Sequence, residues 1–232
     1  MPRHARIAPG GYVYHAINRG AARRTLFKKT ADYVAFERVL DEAMQKHPIR
    51  LLGYCLMPNH EHFVLWPQRD EQLTTFLRWL THTHTQRWHA HYHSAGTGHL
   101  YQGRYRAFPV EEDDHLLRVL RYVERNPLRA GLVDRAEAWR WSSLWRREHA
   151  VADAPWQLHP SPVALPKDWV KRIPAAETAG ELEALRRCVD RGTPYGSPTW
   201  VQRTAQRLGL QSTLRPRGRP RHKQGDASRP PK

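Results

Sequence analysis

The chain has 232 residues, 40% of them hydrophobic, and carries 38 Lys and Arg against 22 Asp and Glu, a formal net charge of +16. The length suits one medium domain with an appendage, and a basic excess of this size points to a polyanion, of which nucleic acid is the usual one. No run of about 18 apolar residues is present, "MPRHARIAPGG" lacks the apolar core of a secretion signal, and no basic amphipathic helix with a broad apolar face favours a membrane surface.

"GYVYHAIN" (11–18) alternates and is rich in strand formers, so it reads as a first strand, with "NRG" as its turn. From Thr30 to His47, Tyr33, Phe36, Leu40 and Ala43 recur at helical spacing, and Pro48 stops the helix. Residues 49–57 and 60–66 read as two strands of an antiparallel hairpin about Pro58-Asn59, with Cys55 isolated on the first arm. Because side chains alternate along a strand, His60 and His62 on the far arm project from one face. Two imidazoles so placed are either the start of a divalent-metal site or a hydrogen-bonded structural pair, and spacing alone leaves both readings open.

Residues 71–93 are expected to be helical, with Leu73, Phe76, Leu77, Leu80 and His84 on one side. The pairs His82/His84, His89/His91 and His91/His93 point in different directions on a helix and read as surface histidines. "LYQGRYRAFPV" (100–110) reads as a strand that interleaves Tyr101, Arg104, Tyr105 and Arg106, the mixture that stacks bases and tracks phosphates, or else a sheet edge with solvated arginines. A helix is expected over 115–126, capped by Asp114 and ended by Pro127. On it Tyr122 and Asn126 share a face, beside a stripe of Leu116, Val119, Leu120 and Val123 that would pack on the sheet. Tyr122 then either leans over that sheet or simply completes the core with its hydroxyl at the rim.

Beyond 150 the composition changes. Residues 151–175 are expected to be a linker across the surface, and 176–210 a small helical segment open to DNA contact, either as a helix-turn-helix-like module or as mere packing. The last stretch, 211–232, holds seven Lys or Arg, one Asp and four prolines, and reads as a basic disordered tail. Cys188 is as isolated as Cys55, so neither a disulfide framework nor a zinc ribbon is expected, and the location expected is cytoplasmic. The order of elements gives an α+β domain over residues 1–150, an antiparallel sheet with helices packed on it.

"MPNHEHFVLWP", "LYQGRYRAFPV" and "LRYVERNPLRAGLV" together resemble the REP-associated tyrosine transposases, bacterial relatives of the single-tyrosine HUH transposases. The likeness runs from "APGGYVYHAINRG" to the "GRPR" tail. It implies an HUH domain of the ferredoxin-like, RRM-like type with a basic helical C-terminal extension. By resemblance His60, His62 and Asn126 would hold Mg²⁺ or Mn²⁺, and Tyr122 would attack single-stranded DNA at hairpin-forming repeats to give a 5′-phosphotyrosine link. Partners implied are REP-like DNA hairpins, with monomer and homodimer both left open. DNA contacts are expected from Asn18, Arg19, Arg23 and Arg24, from Tyr101, Arg104, Tyr105 and Arg106, and from Arg215, Arg217, Arg219 and Arg221 in a tail that looks like an AT-hook. The middle position of the HUH triplet is normally hydrophobic, and here it is Glu61. Its side chain is expected on the Phe63 side of the strand, reaching solvent at a sheet edge or pairing with an arginine, unless it bends the strand and joins the metal. Glu61 keeps open a noncatalytic hairpin-binding regulator as the rival function, with an RNA-binding protein as a more distant one.

Overall fold

The computed structural model describes residues 8–149 and 156–215. Four antiparallel strands, β1 (Val13–Arg19), β2 (Arg50–Met57), β3 (His60–Trp66) and β4 (Arg106–Val110), form one sheet in the order β2-β3-β1-β4. The histidine strand β3 is therefore central, paired with β2 through Cys55–His62 and Met57–His60 and with β1 through Ile17–His62 and Arg19–His60. The expected strand over 100–110 is shorter than its alternation suggests. Residues 100–102 hydrogen-bond to the end of β1 through Ala21 N–H to Leu100 O and Gln102 N–H to Arg19 O, and regular pairing begins only at Arg106.

Each sheet face has its own apolar core. On one, α1 (Thr30–Lys46) and α2 (Gln72–His91) bury Phe36, Leu40, Phe76 and Leu80 against Tyr14, Phe63 and Leu65. On the other, α3 (Asp114–Glu124) sets Leu116, Val119, Leu120 and Val123 on Val13, Cys55, Val64 and Phe108. A bulge in β2 between Leu51 and Gly53 lets α3 approach. A Cβ on Gly53 would lie 2.7 Å from Leu120 Cδ2, so only glycine allows this contact without displacement.

One helix-end expectation is corrected. Asp113, not Asp114, caps α3, its carboxylate accepting from His115 N–H at 2.8 Å. α3 ends at Glu124, ahead of Pro127 as expected, and Pro127 sits in the first turn of a short α4 (Asn126–Arg129), where its missing N–H costs nothing and its fixed φ fits.

The chain from 156 onward is packed in, so the expectation of a surface linker fails where aromatic and branched residues bury themselves. Trp156, Trp169 and Ile173 are all buried, and Trp169 opens a short α6 (Trp169–Arg172) after α5 (Ser143–Glu148). Next come α7 (Ala179–Arg191), α8 (Pro198–Arg207) and α9 (Gln211–Leu214). α7 packs chiefly on β4 and α8 on α9, which is not the mutual packing of a helix-turn-helix pair. The basic tail beyond 215, with Arg217, Arg219 and Arg221, lies outside the described residues. Among the described residues no helix is long and apolar enough to cross a membrane.

Candidate active site

Where the C-terminal end of β1, the start of β3 and α3–α4 converge, a cleft of about 780 Å³ opens. Its lining contains His60, His62, Tyr122 and Asn126, four residues brought together from three elements. His62 is buried and His60 half-buried. Their ring centroids are 4.8 Å apart, and the Tyr122 ring stands edge-on 5.9 Å from that of His62.

The hydrogen bonds divide the imidazole nitrogens by role. His60 Nδ1 pairs with Asn59 Oδ1 at 2.6 Å; since an amide oxygen only accepts, Nδ1 carries the proton and Nε2 keeps its lone pair. His62 Nδ1 pairs with His15 Nε2 at 2.9 Å, and His62 Nε2 has no partner among the described residues. Burial holds His60 down to about 4, with the charges of Arg19 and Arg129 adding to it, and holds His15 down to about 3. His62 is lowered well below its ordinary value, again first by burial. All three rings are therefore neutral at pH 7, the form that offers a lone pair to a cation.

Asn126 is placed differently from the histidines. Its Nδ2 donates to Tyr122 O at 3.1 Å and Val123 O at 3.3 Å, and its Oδ1 accepts from Arg129 Nη2. The Arg129 guanidinium also lies 4.4 Å from the centre of the Tyr122 ring. The acceptor expected for a metal is thus occupied by an arginine.

Asn18, Arg19, Arg23, Arg104 and Arg106 all line the cleft, joined by Arg129 and Arg186. Ala22 and Arg23 hold left-handed φ values of 50° and 60°, backbone that non-glycine residues adopt at a cost. Arg106 pairs with Asp190 of α7 at 2.8 Å on the surface, while Arg24 leans towards Trp88 and does not line the cleft. Arg215 is exposed just past α9.

Several sequence expectations are overturned by burial. Tyr101 and Tyr105 turn into the α1–α2 core, with Tyr105 Oη 3.0 Å from Thr74 Oγ1, so neither ring has a face free for stacking on a base. His84 is not a surface histidine: it is buried and its Nδ1 lies 2.7 Å from Tyr101 Oη. Glu61 does lie on the Phe63 side, but β3 is central, so the carboxyl reaches neither a sheet edge nor, among the described residues, an arginine. It is buried beside the Tyr101 hydroxyl, and desolvation raises its pKa well above the ordinary carboxyl value. It points away from the cleft on the opposite face of the sheet.

Arg129 and Arg186, which line the cleft, and His15, buried behind His62, are groups that the sequence did not single out. The parity of β1 puts His15 with Val13 and Ile17, but only the β1–β3 register brings it to His62. Arg129 follows Tyr122 and Asn126 at i+7 and i+3, a visible helical spacing hidden by the intervening proline. Arg186 comes from distant chain and left no local signal.

A second group could hold an ion. Glu111, Asp113 and His115 offer ligand atoms within 4.8 Å of one another, although Asp113 caps α3 and Glu111 Oε2 accepts from Ser197 N–H at 2.6 Å.

Residues 10–126 match the family model described as "Transposase IS200 like". The chain belongs to the IS200-like transposases. A REP-associated tyrosine transposase solved bound to a REP hairpin has the same fold. It aligns with a TM-score of 0.52 at 19% identity over 68% of this chain and 93% of that one. A transposase-like protein from Deinococcus radiodurans R1 aligns over 53% of this chain and 94% of its own at 17% identity, with a TM-score of 0.36 too low to bear on the fold. No curated protein matches the chain. The family match ends at Asn126, so the helices after α4 lie outside it.

Proposed function

We propose that this IS200-like transposase is a metal-dependent endonuclease and strand transferase that cleaves and joins single-stranded DNA beside hairpins, with Tyr122 as nucleophile. The observation that carries the reading is the convergence of Tyr122, His60 and His62 in one arginine-lined cleft. The unpartnered, buried His62 Nε2 and the free lone pair of His60 Nε2 fit a divalent cation such as Mg²⁺ or Mn²⁺. Asn126 would complete the set only after parting from Arg129. Bound there, the ion would supply charge to polarise a scissile phosphate.

The chain's own groups do the rest. The Tyr122 hydroxyl oxygen bonds to phosphorus as the bond to the 3′-oxygen breaks. The phenolic proton leaves to water, the 3′-oxygen takes one up, and the product is a 5′-phosphotyrosine ester with a free 3′-hydroxyl. The ester keeps the energy of the broken bond, so the reverse attack rejoins DNA without a nucleotide cofactor. His15 holds His62 Nδ1, which fixes the ring with Nε2 towards the cleft. Arg19, Arg23, Arg104 and Arg106 would carry the phosphates of the strand, with Asn18 at the floor. Supporting a hairpin as the DNA is the similar transposase, which was solved with one. Glu61 faces away from the cleft, which removes the objection that it obstructs the metal and favours the enzyme over a noncatalytic regulator.

The domain reading is a catalytic unit over about 1–150 with a basic extension behind it. Labelled single-stranded hairpins from the flanks of the gene, mixed with protein and Mg²⁺ or Mn²⁺, are expected to be cut. His62→Ala or a chelator is expected to lower cutting at least about 100-fold while hairpin binding persists. Equal cutting by His62→Ala would remove the histidine pair from the mechanism.

A further inference from the structure

Arg129 touches three things at once. Its Nη2 donates to Asn126 Oδ1, its guanidinium lies 4.4 Å from the Tyr122 ring centre, and its Nη1 lies 3.8 Å from Glu177 Oε2. Glu177 belongs to the chain beyond the family match and is buried, its Oε2 also 3.1 Å from Arg125 Nη1. Arg129 Nη1 and Glu177 Oε1 have no hydrogen-bond partner among the described residues, so the contact is an ion pair with donor and acceptor capacity to spare. Arg129 lines the same cleft as His60 and His62.

We propose that Arg129 couples DNA binding to metal binding, acting as a switch between Asn126 and a DNA phosphate. This rests on the histidine-pair reading above. Without DNA, the guanidinium occupies the one oxygen that Asn126 could give an ion, and its positive charge opposes a second cation beside His60 and His62. A phosphodiester entering the cleft is a better acceptor for a guanidinium than a neutral amide, since charge-assisted pairs to phosphate are stronger and bidentate. Arg129 turns from Asn126 to the phosphate, Asn126 Oδ1 is released, and the local positive charge is neutralised. Both changes favour the cation, so metal and DNA each raise the other's affinity by one shared factor. Glu177 holds the guanidinium through Nη1 while Nη2 reaches Asn126, so the turn is a pivot on that pair and the C-terminal extension takes part in it.

The test measures Mn²⁺ binding by the paramagnetic signal of the free ion, in full-length Tyr122→Phe protein so that no DNA is cut. Adding a hairpin oligonucleotide from the flanks of the gene is expected to tighten Mn²⁺ binding about tenfold. With Arg129→Ala added, Mn²⁺ is expected to bind more tightly than in the parent without DNA, and the hairpin to change it less than about twofold. Arg129→Lys, which keeps the charge but loses the fork, serves if the alanine variant melts early; it is expected to bind DNA but to show a coupling well below the parent's. No coupling in the parent, or equal coupling in the parent and both variants, would overturn the proposal. His62→Ala separates the two levels of the argument. Mn²⁺ binding that is unchanged in His62→Ala would sink the histidine site and the switch together, whereas binding lost there with coupling untouched by Arg129 variants would sink the switch alone.

Discussion

Replacing Glu124 by alanine is expected to destabilise the protein by about 3–5 kcal/mol, the largest single loss among its polar side chains. The Glu124 side chain is fully buried, and three groups converge on it: Ser143 Oγ at 2.5 Å, Trp169 Nε1 at 2.7 Å and Arg147 Nε at 3.3 Å. These come from α5 and α6, so one carboxylate at the end of α3 ties the Tyr122-bearing helix to chain that follows it. Alanine would leave Trp169 Nε1 without its acceptor and the partly buried Arg147 guanidinium without its counter-charge, with only Leu52 O and, for Ser143 Oγ, Tyr54 O left to accept, and an orphaned buried group costs more than the bond itself contributed. In a chain of this size the loss corresponds to a fall of roughly 6–20 °C in Tm. Denaturant titration of Glu124→Ala and Glu124→Gln would check it, the amide losing less because it still accepts. A loss below about 1 kcal/mol for alanine would mean that the three donors find other partners.

Acid is expected to weaken the fold from about pH 6.5 downward, before most carboxylates begin to titrate. Burial holds His15 and His84 down to about 3 and His60 down to about 4, and lowers His62 as well. In the unfolded chain each returns to about 6.5. Below that value the unfolded state binds protons that the folded state refuses, so stability is intact above pH 6.5 and falls as pH drops towards 4. Each group contributes about 1.4 kcal/mol per pH unit, and the three with assigned values together about 4. Glu61 acts in the opposite sense. Its raised folded pKa means that the folded state holds a proton the unfolded state has released, so this group favours folding as pH falls to 4.5. The net slope is about 3 kcal/mol per pH unit, so a fold near the lower end of the usual range, about 5–7 kcal/mol, reaches its midpoint near pH 4–5 in metal-free buffer. Urea titrations from pH 7.5 to 4.5 would measure it. Glu61→Gln should be more stable than the parent at pH 8 and lose that advantage below pH 4.5. A flat profile down to pH 4 would show that the buried imidazoles are paired more favourably than their surroundings suggest.

The sheet, the two long helices and the hairpin were legible in the sequence because their apolar periods are unbroken, as in 30–46 and 60–66. The candidate site was legible to the extent that it sits on those elements: two histidines of equal parity on one strand, and a tyrosine and asparagine four apart on one helix. What was hidden depends on register and on distant chain. His15 meets His62 only through the β1–β3 pairing, and Arg186 arrives on a helix more than 120 residues away in sequence. Tyr101 and Tyr105 look from their arginine neighbours like a stacking platform. The core beneath α2 claims them instead, because 100–105 crosses the end of β1 as a loop whose aromatic rings fill space. Glu61 misleads for a related reason, since solvent or an arginine is the ordinary answer for a strand carboxylate and a buried, protonated one beside a tyrosine is not.

The central claim is that Tyr122 joins to DNA through a 5′-phosphate. Full-length protein incubated with a single-stranded hairpin substrate and Mn²⁺ would be digested with protease, and the peptides weighed. The expected result is a nucleotide-bearing peptide whose fragmentation places the phosphate on Tyr122 oxygen, formed only with metal and missing from Tyr122→Phe. Cleavage that proceeds in Tyr122→Phe, or a phosphate found on any other residue, would contradict it.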